Sequence, residues 1–219
     1  QGYLDADLVI CPSTHSKNVM ESYGCKNVKV IPHGINLPEK VEALPKQFRV
    51  GYLGNCCAPD KGLIYLLQAW KKLNYKDSVL MIGGHDSTSE FFYKLVQKYG
   101  GGNIQLCGWV PNVSDFYNNL SLYVQPSVTE GFGLEVLEAM AHDRTVICST
   151  GAGAHDLVGS WHNYKYDDVD TLADKLSEMR AKGCCRMGKN YHEWQDRAKN
   201  YTWDKIKLQY IETWKELLK

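Results

Sequence analysis

Short runs of Val, Ile, Leu and Tyr recur along the chain, and longer segments with a helical hydrophobic period separate most of them. Each run is almost continuously apolar, which is typical of a strand buried on both faces. The alternation of strand and helix predicts an α/β fold, a parallel sheet with helices on both faces. The predicted strands are Asp7–Cys11, Val28–Pro32, Phe48–Leu53, Ser78–Ile82, Asn103–Cys107, Ser121–Gln125 and Thr145–Cys148.

The helical segments lie between these strands and after the last of them. From Asp168 onward the pattern is helical only, so we expect a helical C-terminal tail. Thr202 is a favourable N-cap for the last helix, and Asp204 in its first turn suits the helix dipole. The predicted helices are Gly62–Leu73, Ser89–Tyr99, Ser114–Leu120, Leu134–His142, Val169–Ala181, Cys185–Asn200 and Thr202–Leu218.

One segment interrupts the alternation. Residues 37–46 contain two prolines, several charged side chains and no core period, which is typical of a linker. Residues 1–36 hold too few elements for a domain, and the chain begins with Gln1, so we expect the end of an upstream domain in a longer polypeptide. Residues 47–201 are then the main domain, and residues 202–219 form a closing helix.

Composition narrows the classes of function. The 219 residues carry 25 basic and 25 acidic side chains, so a general affinity for nucleic acid is not expected. No apolar run is long enough to span a bilayer. The cysteines show no CxxC spacing, so reduced thiols are expected instead of zinc ligands or disulfides. This favours the cytoplasm, or the cytoplasmic face of a membrane.

Glycine follows several predicted strands. Gly54, Gly83 and Gly108 stand at three of the strand exits. In open parallel sheets ligands bind beyond the carboxyl ends of the strands, and glycine lets the backbone approach a ligand closely. Glycine is also common at the ends of strands that bind no ligand. These glycines therefore mark only the edge of the sheet at which a ligand is expected.

The segment Glu130–Glu138 joins two carboxylates to a helix that is otherwise apolar. We expect this helix to begin near Gly133, where amides without helical partners carry about half a positive charge and attract anions. On a helical wheel, Glu135, Glu138 and His142 form a polar stripe of about 60°. The stripe is either an ordinary solvent-facing surface or an opening toward a ligand.

Lys61 stands where a glycine- and proline-containing loop enters the next predicted helix. An ammonium is unfavourable at the start of a helix because the dipole is positive there. We therefore interpret Lys61 as facing an anion at the same edge of the sheet. A solvated surface lysine is the alternative.

Together these segments resemble the C-terminal, donor-binding half of GT-B-fold, retaining glycosyltransferases of the family 4 type, the glycosyl transferases group 1. VIPHGIN resembles the segment that closes their N-terminal domain, VGYLGNCCAPDKG their diphosphate loop, and YTWDKIKLQY their closing helix. VLMIGG and IQLCGWV match their next two strand exits, and PSVTEGFGLEVLEAMA matches their E-x7-E motif. The resemblance covers essentially the whole chain and implies a Rossmann-like domain that binds a nucleotide sugar.

The resemblance also implies roles for single residues. Glu130 and Lys61 are the expected catalytic residues: the first would contact hydroxyls of the donor sugar, and the second would pair with the diphosphate. Glu138 would hold the ribose diol of the nucleotide, and backbone near Trp109 and Val110 would line the base. The expected donor-binding residues are Gly54, Asn55, Lys61, Gly83, Trp109, Val110, Glu130, Gly131, Phe132, Gly133, Leu134 and Glu138.

The implied reaction moves a hexose-type sugar from a UDP- or GDP-linked donor to a glycan, lipid or protein acceptor that the residues do not name. The anomeric configuration would be retained by front-face attack, with the leaving phosphate assisting deprotonation of the acceptor. In this family a cation and backbone amides take the place of a metal, so no metal or cofactor is expected.

Asn55 departs from the family pattern. The resemblance places it where a second diphosphate-binding arginine is usual, and loss of that charge weakens leaving-group stabilisation by roughly a few kcal/mol unless another group replaces it. A non-catalytic nucleotide- or sugar-binding module therefore stays open, as does another GT-B-like enzyme such as a nucleotide-sugar epimerase. The family's acceptor site lies in an N-terminal domain that is expected to be nearly all absent here, so we expect donor binding without efficient transfer by this chain alone.

Overall fold

The computed structural model describes residues 2–184 and 193–219, and all elements below lie within them. The strands are β1 (Val9–Cys11), β2 (Val28–Val30), β3 (Arg49–Leu53), β4 (Val79–Gly83), β5 (Ile104–Gly108), β6 (Leu122–Gln125), β7 (Thr145–Ser149) and β8 (Asn163–Tyr164). The α-helices are α1 (Thr14–Ser22), α2 (Leu63–Leu73), α3 (Glu90–Tyr99), α4 (Val113–Asn118), α5 (Leu134–Ala141), α6 (His155–Val158), α7 (Val169–Ala181), α8 (Glu193–Ala198) and α9 (Trp203–Leu217).

The main sheet is parallel throughout and has the strand order β5-β4-β3-β6-β7-β8. The chain enters at the central strand β3, winds outward to β5, and then returns to β6 and winds to the other edge. Because the winding direction reverses between β3 and β6, their carboxyl ends border a crevice, which is where open α/β sheets bind ligands. The predicted parallel sheet is confirmed.

Apolar side chains cover both faces of this sheet. On one face, Val50 and Tyr52 of β3 pack with Leu66 and Trp70 of α2, and α7 completes the layer. On the other face, β6 and β7 pack against α4, α5 and α8, with Leu137 of α5 fully buried. Burial on both faces explains why the strands read as continuous apolar runs instead of alternating ones.

Three elements escape prediction because they carry no periodic apolar signal. The helix α1 buries none of its residues, α6 is a single turn, and β8 has two residues. The predicted helix Cys185–Asn200 is observed as α8, Glu193–Ala198, followed by a 3-10 turn, Lys199–Tyr201. The part of that prediction at residues 185–192 lies outside the described residues.

The strands β1 and β2 form a separate two-stranded parallel sheet, and α9 lies beside it. Lys29 on β2 pairs with Glu216 on α9 at 3.1 Å. Ahead of α9, the amide of Ile35 donates to the carbonyl of Tyr201 (2.9 Å), and the amide of Trp203 donates back to the carbonyl of Ile35 (3.2 Å). The end of the chain thus contacts its beginning, while the proposed division into domains stays a prediction.

The closing helix α9 begins one residue after Thr202, as predicted. The hydroxyl of Thr202 makes no capping hydrogen bond; the backbone of this residue forms a bridge with Ile35. Ile206 and Thr213 are buried, whereas Trp214 is exposed. Neither α9 nor any other helix among the described residues is long and apolar enough to cross a bilayer.

Residues 37–46 contain neither helix nor strand. The amide of Glu42 donates to the side-chain oxygen of Asn118 (3.0 Å). The buried guanidinium of Arg144 donates to the carbonyls of Glu42 and Leu120. These contacts hold the segment against the end of α4, beside the crevice.

Candidate active site

The loop after β3 and the loop after β6 meet at the crevice. The carbonyl of Asp60 in the first loop accepts the amide of Val128 in the second at 2.7 Å. Gly62 has a φ of +63°, and a Cβ at this position would lie 2.0 Å from the carbonyl oxygen of Pro126. A glycine is therefore required for the two loops to approach this closely.

Lys61 and Glu130 form an ion pair across these loops. Lys61 ends a short 3-10 helix, Pro59–Lys61, and its Nζ lies 2.5 Å from Oε1 of Glu130. The other carboxylate oxygen accepts from Nε2 of Gln125 (2.6 Å) and Oγ of Ser127 (2.7 Å). Both side chains are mostly buried, 21% and 13% exposed. Such charge-assisted contacts orient the carboxylate and keep the ammonium at the crevice.

The electrostatics of Lys61 favour its charged form. Burial alone lowers the pKa of an ammonium, but the hydrogen bond to Glu130 and the charges of Glu130, Glu135 and Asp60 outweigh it, so the pKa of Lys61 is raised. The lysine is therefore a fixed cation at neutral pH and not a proton donor or acceptor.

The helix α5 begins at the crevice with Gly133 at its N-cap, where φ is +97°. Val136 donates its amide to the carbonyl of Gly133 (3.0 Å), whereas the amides of Gly133 and Leu134 reach no backbone carbonyl within the described chain. Leu134, one of the expected donor-binding residues, is 38% exposed because it is the first helical residue and lines the neighbouring cavity. The structure therefore contains the predicted helix start, with amides that have no helical partner.

The loop before α5 is held by segments distant in sequence. The carbonyl of Gly131 accepts the hydroxyls of Ser13 (2.6 Å) and Ser16 (2.7 Å). Phe132 is buried, and its ring meets that of His33 edge to face at 5.1 Å. The loop geometry thus depends on contacts made by residues 13–33.

Glu138 lies one helical turn further along α5, on the wall of a cavity of about 720 Å³ that α4, α5, residues 34–42 and Trp203 line. Its Oε2 accepts the phenol of Tyr117 at 2.8 Å. His142 was expected to share with Glu138 a polar stripe that either faces solvent or opens toward a ligand. It is only 4% exposed, and it lines the same cavity as Glu138. Its ring is hydrogen-bonded on both sides, to the carbonyl of Glu138 (2.7 Å) and to the hydroxyl of Ser114 (2.9 Å).

Glu135 is a third carboxylate at the start of α5. Burial, then the nearby charge of Glu130, raises the pKa of Glu135 to about 7. In the described part of the chain no hydrogen bond or ion pair joins its carboxylate to another side chain. Within the same residues, no group of three or more His, Cys, Asp or Glu side chains is placed to hold a metal ion.

A family model, "Glycosyl transferases group 1", matches residues 47–182, the part of the chain that contains both loops and α5. The chain belongs to the glycosyl transferases group 1 family. It is 25% identical over 220 residues to an uncharacterized glycosyltransferase of Methanocaldococcus jannaschii, a match that covers 97% of this chain and 60% of that protein. It is 30% identical over 168 residues to a lipopolysaccharide core biosynthesis mannosyltransferase of Rhizobium leguminosarum bv. viciae, covering 68% of this chain and 46% of the relative. The chain therefore spans about 60% of the length of the first relative and less than half of the second.

Solved structures share the fold of this chain, among them a glycosyltransferase from Rickettsia africae (TM-score 0.82, 20% identity, 99% of this chain and 65% of that one). Anabaena HepE in complex with UDP-glucose superposes with a TM-score of 0.80 at 18% identity, over 96% of this chain and 64% of that one. The predicted fold class, the Rossmann-like domain of a GT-B glycosyltransferase with a helical C-terminal end, is confirmed.

The remaining predicted site residues of this group 1 chain lie along the same edge. Asn55 is exposed, and its side-chain oxygen accepts the amide of Cys57 (3.1 Å), so it shapes the loop and supplies no charge. Gly83 ends β4, and a Cβ there would lie 2.7 Å from the side chain of Val110. Trp109 is 74% exposed in the loop after β5. Their roles in binding stay predictions.

Sequence reasoning missed the residues that orient the two motif carboxylates. Tyr117, Gln125 and Ser127 bond to Glu138 or Glu130, but they come from α4 and the end of β6. The sequence could have pointed to Gln125, since it is a polar residue that ends an apolar strand, and the structure buries it. The sequence did not distinguish Tyr117, because an aromatic residue in a helix is usually part of the core.

Proposed function

We propose that this chain is the donor-binding part of a glycosyltransferase that moves a hexose-type sugar from a nucleoside diphosphate sugar to an acceptor, with retention of the anomeric configuration. The observation that carries the proposal is the Lys61–Glu130 pair at the crevice, beside an open helix start and the cavity of Glu138. Membership of the group 1 family supports the same reading.

The geometry supports the proposal that α5 and the loop before it bind different parts of the donor. Glu138, on the cavity wall, is suited to accept hydrogen bonds from the vicinal hydroxyls of a ribose. The unpaired amides of Gly133 and Leu134 suit the diphosphate, and Glu130 at the loop before them suits the hydroxyls of the sugar. Backbone near Trp109 and Val110 would complete the site for the base.

In the proposed reaction the ammonium of Lys61 moves from its contact with Glu130 toward the diphosphate of the donor. Without donor its ammonium is neutralised by Glu130. A bound diphosphate would share the ammonium, and charge that develops on the leaving group would draw it further from Glu130. The released carboxylate oxygen could then accept a sugar hydroxyl. We propose that this cation and the helix amides serve without a resident metal or cofactor.

The nucleotide base and the sugar are proposed from likeness. Anabaena HepE was solved with UDP-glucose, which supports a UDP-linked donor as the first candidate, with a GDP-linked donor as the second. Cys11, Cys25, Cys56, Cys57, Cys107 and Cys148 are free thiols, which supports a cytoplasmic reaction or one at the cytoplasmic face of a membrane. We propose that a glycan, lipid or protein acceptor binds in an upstream domain.

A second candidate is a non-catalytic nucleotide- or sugar-binding module. It is favoured by Asn55, whose side chain serves its own loop where the family resemblance implied a cation. In the described residues Lys61 is the cation that pairs at this crevice.

Calorimetric titration of this chain with UDP, GDP and ADP tests the binding proposal. We expect one nucleotide to bind at least tenfold more tightly than the other two, and absence of binding by all three would overturn it. A radiolabelled nucleotide sugar, added with and without candidate acceptors, then separates the two functions. Transfer or donor hydrolysis supports the transferase, whereas binding without either supports the non-catalytic module.

A further inference from the structure

The cavity that Glu138 lines is also bordered by the segment that follows β2. Gly34, Ile35 and Asn36 line it together with Leu134 and Glu138 of α5. Its volume of about 720 Å³ is in the range of small-molecule sites. A donor that extends along α5 in this cavity would therefore also run along residues 34–36.

His33 lies just before this segment, and it contacts the loop just before α5. Its ring meets that of Phe132 edge to face, with 5.1 Å between the ring centroids and 89° between the ring planes. Phe132 is buried, whereas His33 is exposed. The contact thus joins the two segments next to the cavity and leaves the imidazole accessible to a ligand.

The backbone around His33 is held on both sides. The amide of Ile31 donates to the carbonyl of Cys11 (2.9 Å), and the amide of Ile35 donates to the carbonyl of Tyr201 (2.9 Å). The imidazole is therefore carried by a fixed backbone. Such a side chain loses less freedom when a ligand binds than one on a mobile loop does.

Two other polar side chains from the same part of the chain reach this loop, and both are already hydrogen-bonded to it. The hydroxyls of Ser13 and Ser16 donate to the carbonyl of Gly131 at 2.6 and 2.7 Å. In the described part of the chain, by contrast, the ring of His33 makes no hydrogen bond or ion pair. Its nitrogens are therefore available to a ligand that lies against the loop.

We propose that His33 binds the donor sugar, through a hydrogen bond between a ring nitrogen and a sugar hydroxyl. In the proposed function the donor lies along α5, with its ribose at Glu138, its diphosphate at the start of the helix and its sugar at the loop of Glu130. His33 lies against Phe132 of that loop, so its ring is placed beside the sugar. An imidazole nitrogen either donates to a hydroxyl or accepts from it. The inference rests on the proposed function, since it uses this orientation of the donor.

Calorimetry with two ligands separates a sugar contact from mere packing. The first ligand is the nucleoside diphosphate that binds tightest among UDP, GDP and ADP, and the second is the tightest of its glucose, galactose and mannose derivatives. His33→Phe keeps a ring for the contact with Phe132 but has no nitrogen. We expect its affinity for the nucleotide sugar to fall about 3- to 10-fold, through loss of one hydrogen bond. Its affinity for the nucleoside diphosphate should stay within about twofold, because that ligand has no sugar.

His33→Gln and His33→Asn are the matched variants, because their amides place a polar group near the positions of Nε2 and Nδ1. One of them should bind the nucleotide sugar within about twofold of the parent chain.

Three results would overturn the inference and leave the proposed function standing. His33→Phe could bind the nucleotide sugar as tightly as the parent, it could weaken both ligands equally, or neither amide variant could bind the nucleotide sugar more tightly than His33→Phe does. If the parent chain binds no nucleotide sugar, the inference and the proposed function both fail.

Discussion

Glu138 owes its orientation to one phenol. Tyr117 is fully buried, its hydroxyl lies 2.8 Å from Oε2, and its ring packs edge to face on Tyr123 at 5.7 Å. A buried hydroxyl without an acceptor costs about 1–3 kcal/mol, so burial of the Tyr117 hydroxyl favours its hydrogen bond to Glu138. One carboxylate oxygen of Glu138 is thus hydrogen-bonded to the protein, and the carboxylate is oriented before any ligand binds.

Glu138→Ala should weaken binding of the nucleoside diphosphate by about 10- to 100-fold, because it removes hydrogen bonds from the ribose diol to a charged acceptor. Tyr117→Phe should weaken it only about 3- to 10-fold, since the carboxylate stays but loses its fixed orientation. Glu130→Ala should mainly lower turnover. Calorimetry and donor assays on the three variants test this, and unchanged affinity in Glu138→Ala would refute the ribose assignment.

Glu135 also links stability to pH. Its pKa is about 7 in the folded chain and lies near 4.5 in the unfolded chain, so the folded state binds more protons between these values. The free energy of unfolding should fall as pH rises from below 4.5 through 7. Each pKa unit corresponds to about 1.4 kcal/mol, so the ionised carboxylate costs on the order of 3 kcal/mol above pH 8.

Glu135→Gln removes this cost and should raise the melting temperature at pH 8 while leaving it nearly unchanged at pH 4.5. Thermal melts of the parent and the variant across this range are the measurement. Equal melting temperatures at pH 8 would show that the carboxylate is solvated in the folded chain. Asp170→Asn is the control, because Asp170 is also a first-turn acid, in α7, and pairs with Lys72.

At the scale of elements, the site depends on the exits of β3 and β6 lying side by side. Gly62 at the end of one exit touches Pro126 in the other, and the carbonyl of Asp60 binds the amide of Val128. Two central strands of a parallel sheet thus bring Lys61 to the loop of Glu130. The 3-10 turn lets Lys61 reach the crevice before α2 begins.

Gly62→Ala should lower the free energy of unfolding by about 2 kcal/mol or more and weaken nucleotide binding, because its Cβ cannot fit beside Pro126. Gly24→Ala is the matched control: φ is +95° there, but the nearest atom to the added Cβ is 3.6 Å away. Urea unfolding separates the cost of the backbone conformation, which both share, from the clash. Similar losses in the two variants would contradict the close approach of the loops.

At the scale of the whole molecule, the first unit β1-α1-β2 holds the loop of the site. The hydroxyls of Ser13 and Ser16 both donate to the carbonyl of Gly131, across more than a hundred residues of sequence. His33, after β2, packs on Phe132 of the same loop. The position of residues 13–33 therefore sets the loop that carries Glu130.

Replacing both Ser13 and Ser16 by alanine should weaken nucleotide-sugar binding about 3- to 10-fold, although neither side chain is expected to touch the ligand. Two hydrogen bonds of about 1 kcal/mol each are lost, and the loop gains freedom. Ser22→Ala is the control, because that hydroxyl bonds only within α1, to the carbonyl of Val19 at 2.7 Å. Unchanged affinity in the double variant would mean that the loop holds its geometry unaided.

The sequence alone determined the strands, most helices, the family and the carboxylate pair of the E-x7-E motif. These are local properties: a strand shows as an apolar run, a helix as a period, and seven intervening residues place Glu138 near the second turn of α5. The near-complete burial of His142 could not be read from the sequence, because a helical wheel shows which side a residue occupies but not what covers that side.

Only the tertiary structure decided which distant groups meet the motif. Lys61 and Glu130 are 69 residues apart, and Tyr117 and Glu138 are 21 apart. The pairing of Lys61 with Glu130 follows from the strand order that places β3 beside β6. No local pattern encodes that order, since adjacency in a sheet results from how the whole chain packs. The raised pKa of Glu135 is decided the same way, because the burial and the nearby Glu130 charge that raise it come from the packing of the whole chain.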